Sequence, residues 1–300
     1  AATVEQLPVT RSGVIENNGN YADGEKFYWS NGDATTVLFR NPSMTNATQY
    51  KRAEYVASVA GGVQSNNCTF QATQSESLDN GTYTAYGLYP TSAWEVRADY
   101  YSFLETNIPT YQTQTQANST HLGAYMLMKA QSDVTVDGST PMKLTYNHLA
   151  SVVRFVVWNN SGNNNLRLEN IIVKLSSGKA VFATKAKLTD VDATSLLLSN
   201  YANVPALTLR LTGDARNFSI QDGKNRCEGY MPVLPTATAA FEDSDDLMFE
   251  LSFSEGSNNY LVTKTYPIGT SLQFLSNGIE QGKSYYFQLK VESGDLNAII

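Results

Sequence analysis

Apolar and polar residues alternate with a period of two over several stretches in the second half of the chain. Leu207, Leu209 and Leu211 alternate with Thr208, Arg210 and Thr212. Leu247, Phe249, Leu251 and Phe253 alternate with Met248, Glu250, Ser252 and Ser254. Tyr285, Phe287, Leu289 and Val291 alternate with Tyr286, Gln288, Lys290 and Glu292. Successive side chains of a strand point to opposite faces, so each stretch predicts a strand with one buried face. A helix would spread the same residues around its circumference. Residues 152–159 are a β-branched run, apolar on both faces, as a central strand would be.

The first half is less regular. Residues 35–40, 50–63, 67–73 and 82–89 read as strands, with Tyr83, Ala85, Gly87 and Tyr89 on one face. Asn31-Gly32-Asp33 and Asp79-Asn80-Gly81 are turns, and Pro90 ends its strand because it cannot donate to a ladder. Residues 94–104 suggest a helical turn carrying aromatics, and 112–119 are polar and commit to neither class. Short strands are expected at 125–130 and 133–136. Asp137-Gly138-Ser139-Thr140-Pro141 is the strongest break. It divides the chain into expected domains at 1–138 and 142–300. The pattern predicts an all-β protein built as antiparallel sandwiches.

Composition fits that class. Charged residues are 16% of the 300, and Ser, Thr, Asn, Gln and 18 Tyr supply the polarity. With 21 Lys and Arg against 28 Asp and Glu the net charge is −7, and no basic run exists for a phosphate backbone, so nucleic acid is not expected as a partner. No run of apolar residues is long enough for a membrane-spanning helix. The start, Ala1-Ala2-Thr3-Val4-Glu5, fits a chain trimmed of an export signal and equally a cytosolic one. The Ser, Thr, Asn and Tyr content favours export.

Catalytic signatures are missing. The sequence holds two histidines, His121 and His148, and no HExxH, phosphate loop, GxGxxG or GxSxG. His148 precedes a strongly apolar run and reads as a structural histidine. Cys68 and Cys227 could form one bridge or be two small buried hydrophobes. Glu242-Asp243-Ser244-Asp245-Asp246 lacks the ligand spacing of a calcium loop and reads as a solvated turn. No metal or cofactor is expected, and no enzyme activity. Trp29, Trp94 and Trp158 are explained first by core packing. The irregular stretch from Trp94 to Tyr111 is the one region where aromatic stacking on a sugar is entertained.

An ordered set of landmarks resembles the Bacteroidales fimbrillin family, including its Mfa-like members. They are Thr10-Arg11-Ser12, Trp29-Ser30-Asn31-Gly32-Asp33, the Tyr83–Pro90 segment (YTAYGLYP), Ile108-Pro109-Thr110-Tyr111-Gln112, the segment from Leu144 to Phe155 (LTYNHLASVVRF) and Gly282-Lys283-Ser284-Tyr285-Tyr286-Phe287. The resemblance implies two transthyretin-like sandwiches in tandem and a non-enzymatic subunit of a surface pilus. It implies export as a lipoprotein, anchored by a lipid upstream of Ala1 to the outer membrane. It further implies assembly by strand exchange with other pilus subunits. An arginine-specific protease would cut after Arg11 and remove a first strand containing Val4, Leu7 and Val9, opening a groove in the N-terminal sandwich for a neighbour's strand. Only residues 293–300 follow the last expected strand. That suits a tip or accessory subunit with an adhesive role better than a stalk subunit, which donates a C-terminal segment. A host or bacterial surface ligand is the further expected partner. The alternative is a surface lipoprotein that binds glycans and never polymerises.

Overall fold

The computed structural model describes residues 2–6, 13–15, 26–41, 50–59, 68–96, 104–198, 203–221 and 223–296. Nearly every element is a strand; the one α-helical turn among the described residues is Ile268–Ser271. Three large sheets and a smaller one carry the fold.

The first sheet is antiparallel throughout. Its order is Tyr146–His148, Met128–Val136, Gly81–Tyr89, Ala34–Arg40, Lys51–Ser58 and Thr69–Ser75. Tyr83, Ala85 and Tyr89 alternate with Tyr86 and Leu88, and both sets are buried, so this central strand is covered on each face. Gly87 is required here: a Cβ at that position would run into the Tyr146 ring laid across it. On the other face Tyr86, Leu88 and Leu38 meet Trp94, Leu104, Ala186 and Leu188. Those come from a four-stranded sheet of Leu197–Leu198, Lys185–Leu188, Leu104–Asn107 and Trp94–Val96.

The other two large sheets form a sandwich. One runs Ala2–Gln6, Lys283–Glu292, Ser151–Asn160, Lys224–Val233, Ser219–Gln221. The second runs Tyr111–Gln114, Ala206–Leu211, Arg167–Leu175, Asp246–Glu255, Asn258–Pro267. Their facing rows are the alternating residues of the sequence: Phe155, Leu209, Phe249, Leu251, Phe287 and Leu289 are all buried in one cluster. Phe249 lies 5.0 Å from Phe287 and 6.3 Å from Phe155, centroid to centroid. Gly229 lets the sheets close, because a Cβ there would sit 2.7 Å from a methyl of Leu209. Among the described residues two pairings are parallel, Ser151–Asn160 with Lys283–Glu292 and Tyr111–Gln114 with Ala206–Leu211.

Sheet membership does not follow the division expected at 138–142. Strands Ala2–Gln6, Leu104–Asn107 and Tyr111–Gln114 pair with partners beyond residue 142. Tyr146–His148 folds back on Met128–Ala130 in the first sheet. The break itself is a tight turn: the Asp137 carboxylate accepts from the backbone N–H groups of Ser139 and Thr140 at 2.8 and 2.7 Å. A turn residue pattern marks a change of direction; which strand takes the next place in a sheet is decided by long-range burial. The expected helical turn at 94–104 is also different. A 3-10 turn at Thr91–Ala93 leads into strand Trp94–Val96, while residues 97–103 lie outside the described residues.

Candidate functional site: the outer edge of the last strand

The last strand, Lys283–Glu292, has one side fully taken. It runs parallel to Ser151–Asn160 from Val152↔Ser284 to Asn160↔Glu292. Its inward residues Tyr285, Phe287, Leu289 and Val291 are buried in the sandwich core. The Tyr285 hydroxyl accepts from Glu280 N at 2.6 Å and donates to Gly278 O at 3.3 Å, which fixes the approach to the strand.

On that other side lies Ala2–Gln6, antiparallel, in register from Ala2↔Phe287 to Gln6↔Lys283. It is the outermost strand of the sheet. The sequence analysis expects the first strand in the N-terminal sandwich; Ala2–Gln6 lies instead on the sheet of the last strand. The reason is topological: the last strand offers one open ladder, and a short antiparallel segment can complete it. Arg11 follows within residues 7–12, which lie outside the described residues.

The second face of this sheet carries a charged cluster that the sequence analysis missed. Arg154 from the central strand and Glu228 from its neighbour are both buried, with side chains 6% and 7% exposed. Arg154 Nη2 donates to Glu228 Oε2 at 2.6 Å, and Arg226 Nε lies 2.9 Å from Oε1. The Tyr230 hydroxyl donates to Oε2 at 2.6 Å. The Arg154 guanidinium also sits over the rings of Tyr230 and Tyr286, 5.3 and 5.8 Å from their centroids. Tyr286 is the last-strand residue opposite Thr3, so this cluster reaches the edge that the first strand covers. The available signal was a lone arginine inside the apolar run 152–159.

The remaining motif residues hold the scaffold. Trp29 packs edge-on against Tyr89, Tyr146 and Phe70, with centroids 5.2, 5.4 and 5.0 Å away. Asp33 accepts from the Tyr89 hydroxyl at 3.0 Å and from Ser30 N at 2.7 Å. The Tyr146 and Thr35 hydroxyls share a 2.7 Å hydrogen bond. Gln112 Nε2 donates to the carbonyls of Pro109 and Pro232, each at 2.8 Å, and Gln114 Nε2 donates to Glu228 O at 3.1 Å. These buried amides tie Tyr111–Gln114 to the strand Lys224–Val233, and sequence alternation hid them because the inward residues are polar.

The candidates for chemistry resolve into structural roles. His148 is buried. His121 Nε2 is 2.7 Å from Tyr230 O, and burial lowers its pKa despite that contact and a second one with the Asn118 backbone. The cysteines are both free thiols. Burial pushes Cys68 up to about 12, and Cys227 is also raised, by burial first and by Glu228 second. In the acidic run, Asp245 accepts from Glu242 N at 2.9 Å and Asp243 from Ser276 Oγ at 2.9 Å, which makes it a capped turn. Among the described residues no group of three or more His, Cys, Asp or Glu could hold a metal ion. In the stretch from Trp94 to Tyr111, Trp94 is 6% exposed and its Nε1 donates to Tyr89 O at 3.1 Å, so its face is not available to a sugar, whereas Tyr111 is 56% exposed and residues 97–103 lie outside the described residues.

No family model and no curated protein matches the chain. Solved structures do. A candidate cell adhesion protein from Bacteroides uniformis superposes with a TM-score of 0.54 at 13% identity, over 94% of this chain and 93% of that one. One from Bacteroides ovatus gives 0.54 at 14% identity, over 99% and 95%, and one from Bacteroides fragilis 0.54 at 13%, over 98% and 94%. The chain has the all-β fold of these Bacteroides proteins along nearly its whole length.

Proposed function

We propose that the protein is a non-enzymatic subunit of a surface fimbria with an adhesive role, and that it accepts a neighbour's strand in place of its own first strand. The observation that carries this reading is the position of Ala2–Gln6 at the outer edge of the last strand. Arg11 lies just beyond it in sequence, where a cut by an arginine-specific protease would release the strand from its tether.

Magnitudes favour release after such a cut. Five residues of ladder at about 0.5–1.5 kcal/mol of net hydrogen bonding each set roughly 3–7 kcal/mol against about 5–10 kcal/mol of backbone ordering. A strand in that balance stays docked because the covalent connection keeps its local concentration high. Once cut, it leaves an edge of unpaired N–H and C=O groups on Lys283–Glu292, a template for a longer donor.

The segment after the last strand supports an accepting role. Ser293–Asp295 is a 3-10 turn, and Asp295 is tied to Lys264 at 2.6 Å and to Glu292 N at 2.8 Å. A 3-10 turn directly after the last strand, rather than a continued strand, suits a tip or accessory subunit. Export as a lipoprotein to the outer membrane belongs to the same reading, as do an arginine-specific protease and other subunits as partners. The names of the similar Bacteroides structures support the adhesive role.

The test is limited tryptic digestion followed by size analysis, with and without a donor peptide. The cut protein is expected to bind the peptide or to associate, while Arg11→Ala stays monomeric under the same protease. A cut protein that does neither overturns the strand-exchange reading.

A further inference from the structure

Three connections meet at one end of the sandwich formed by the two five-stranded sheets. They are residues 161–166 after Ser151–Asn160, the segment from Gly213 to Phe218 after Ala206–Leu211, and the turn at Gly256 between Asp246–Glu255 and Asn258–Pro267. They border an open cavity of about 650 Å³, lined by Asn164, Asn165, Arg167, Arg216, Asn217 and Phe218 among others. Sandwich-end loops on a rigid scaffold are a common place for binding residues.

The loops are held by their own hydrogen bonds. Asn159 Nδ2 donates to Asn163 O at 2.7 Å, Ser161 Oγ donates to Asn159 Oδ1 at 2.6 Å, and Asn165 N donates to Asn163 Oδ1 at 3.0 Å. Asn217 is bridged to the backbone of Arg167. Arg216 Nη1 is fixed 3.1 Å from Glu169 Oε1, yet its Nε is buried with no hydrogen-bond partner. Arg167 is exposed and forms no ion pair among the described residues. Phe218 is half-buried and stacked on Phe253, with centroids 6.3 Å apart and planes at 23°.

We infer that this cavity binds a sugar bearing a carboxylate. The lining holds two guanidiniums and no carboxylate. Of the acids on the bordering elements, Glu169 is paired with Arg216, Glu255 accepts from the Tyr260 hydroxyl at 3.0 Å, and Asp214 lies in the 3-10 turn before Arg216. Arg presents a planar fork that matches a carboxylate in two parallel hydrogen bonds. Three asparagine amides line the same space, and each both donates and accepts. Vicinal hydroxyls of a sugar do the same, whereas inorganic phosphate near neutral pH carries only one or two O–H donors and satisfies fewer of the amide oxygens. The Phe218 ring offers an apolar surface to sugar C–H groups, and the volume is that of a small-ligand site. The inference rests on the adhesive part of the proposed function, not on strand exchange.

The test uses the intact, uncut chain with glucuronate and N-acetylneuraminate as probes, followed by ligand-observed NMR titration. Glucose and inorganic phosphate are the controls. Saturable binding of an acidic sugar is expected, with glucose and phosphate weaker by about tenfold or more. Arg167→Gln should lose about tenfold in affinity with the melting temperature unchanged, since Arg167 is exposed, and Asn164→Ala should weaken binding in the same direction. Absence of saturable binding by both acidic sugars, phosphate binding as tightly as they do, or an unaltered Arg167→Gln affinity would each overturn the inference. If binding fails while the cut protein still captures a donor strand, the cavity assignment falls and the assembly reading stands.

Discussion

Replacing Glu228 by glutamine keeps the side chain's volume and removes its charge. In the native protein that carboxylate faces Arg154 at 2.6 Å and Arg226 at 2.9 Å, all three side chains being 6–7% exposed. It also accepts the Tyr230 hydroxyl at 2.6 Å. Taking one partner out of a buried charged cluster costs about 3–5 kcal/mol, because the remaining charge has been stripped of water and loses its counter-charge. An exposed pair behaves differently. Lys179–Glu242, with side chains 40% and 63% exposed, should contribute about 0–1 kcal/mol. Thermal unfolding of Glu228→Gln and Glu242→Gln side by side is the assay. At about 2 °C per kcal/mol for a chain of this size, Glu228→Gln should melt about 6–10 °C lower and Glu242→Gln within about 2 °C of wild type. A Glu228→Gln loss no larger than the exposed control would refute the reasoning. A double-mutant cycle with Arg154→Met isolates the pair, and a coupling near zero would refute it too.

Gly229→Ala should destabilise the sandwich by about 1–3 kcal/mol in urea titration, since its new methyl would meet Leu209 at 2.7 Å and Ile171 at 3.2 Å. A neutral result would mean the sheets are less closely packed than described. Stability should also fall on acidification through His121. Its folded pKa is depressed below the ordinary value by burial, so the unfolded chain takes the proton first. The contribution is fully present above about pH 6.5 and is lost as pH falls below it. Melting temperatures between pH 8 and 5 should show this slope, and His121→Gln should flatten it. Both cysteines should stay unlabelled by a thiol reagent at neutral pH until the protein unfolds, because burial raises the pKa of Cys68 and Cys227.

Legibility followed the chemistry of the inward residues. Strands Ala206–Leu211, Asp246–Glu255 and Lys283–Glu292 were readable because apolar side chains alternate with polar ones, and burial of apolar area decides where they go. Tyr111–Gln114 was not readable, because its inward residues are Gln112 and Gln114, which are buried by hydrogen-bonding the backbone of another strand. The cluster at Glu228 was hidden for a related reason: its members lie far apart in sequence and meet only through the pairing of Ser151–Asn160 with Lys224–Val233. The partner of the first strand depends on long-range topology, and no local pattern records that Ala2 faces Phe287. The Asn-rich turn at 161–165 was visible as a loop, but its meeting with Arg216 and Phe218 was not.

The central claim is that the first strand occupies an edge that another strand can take. The register puts Glu5 opposite Ser284, and directly opposed residues of an antiparallel pair are close enough for a disulfide. In a Glu5→Cys, Ser284→Cys protein the first strand is locked when oxidised and released when reduced. After cleavage at Arg11, the reduced protein should shed residues 1–11 and capture a donor peptide, and the oxidised protein should retain them and capture none. Donor capture that is equal in both redox states would contradict the account.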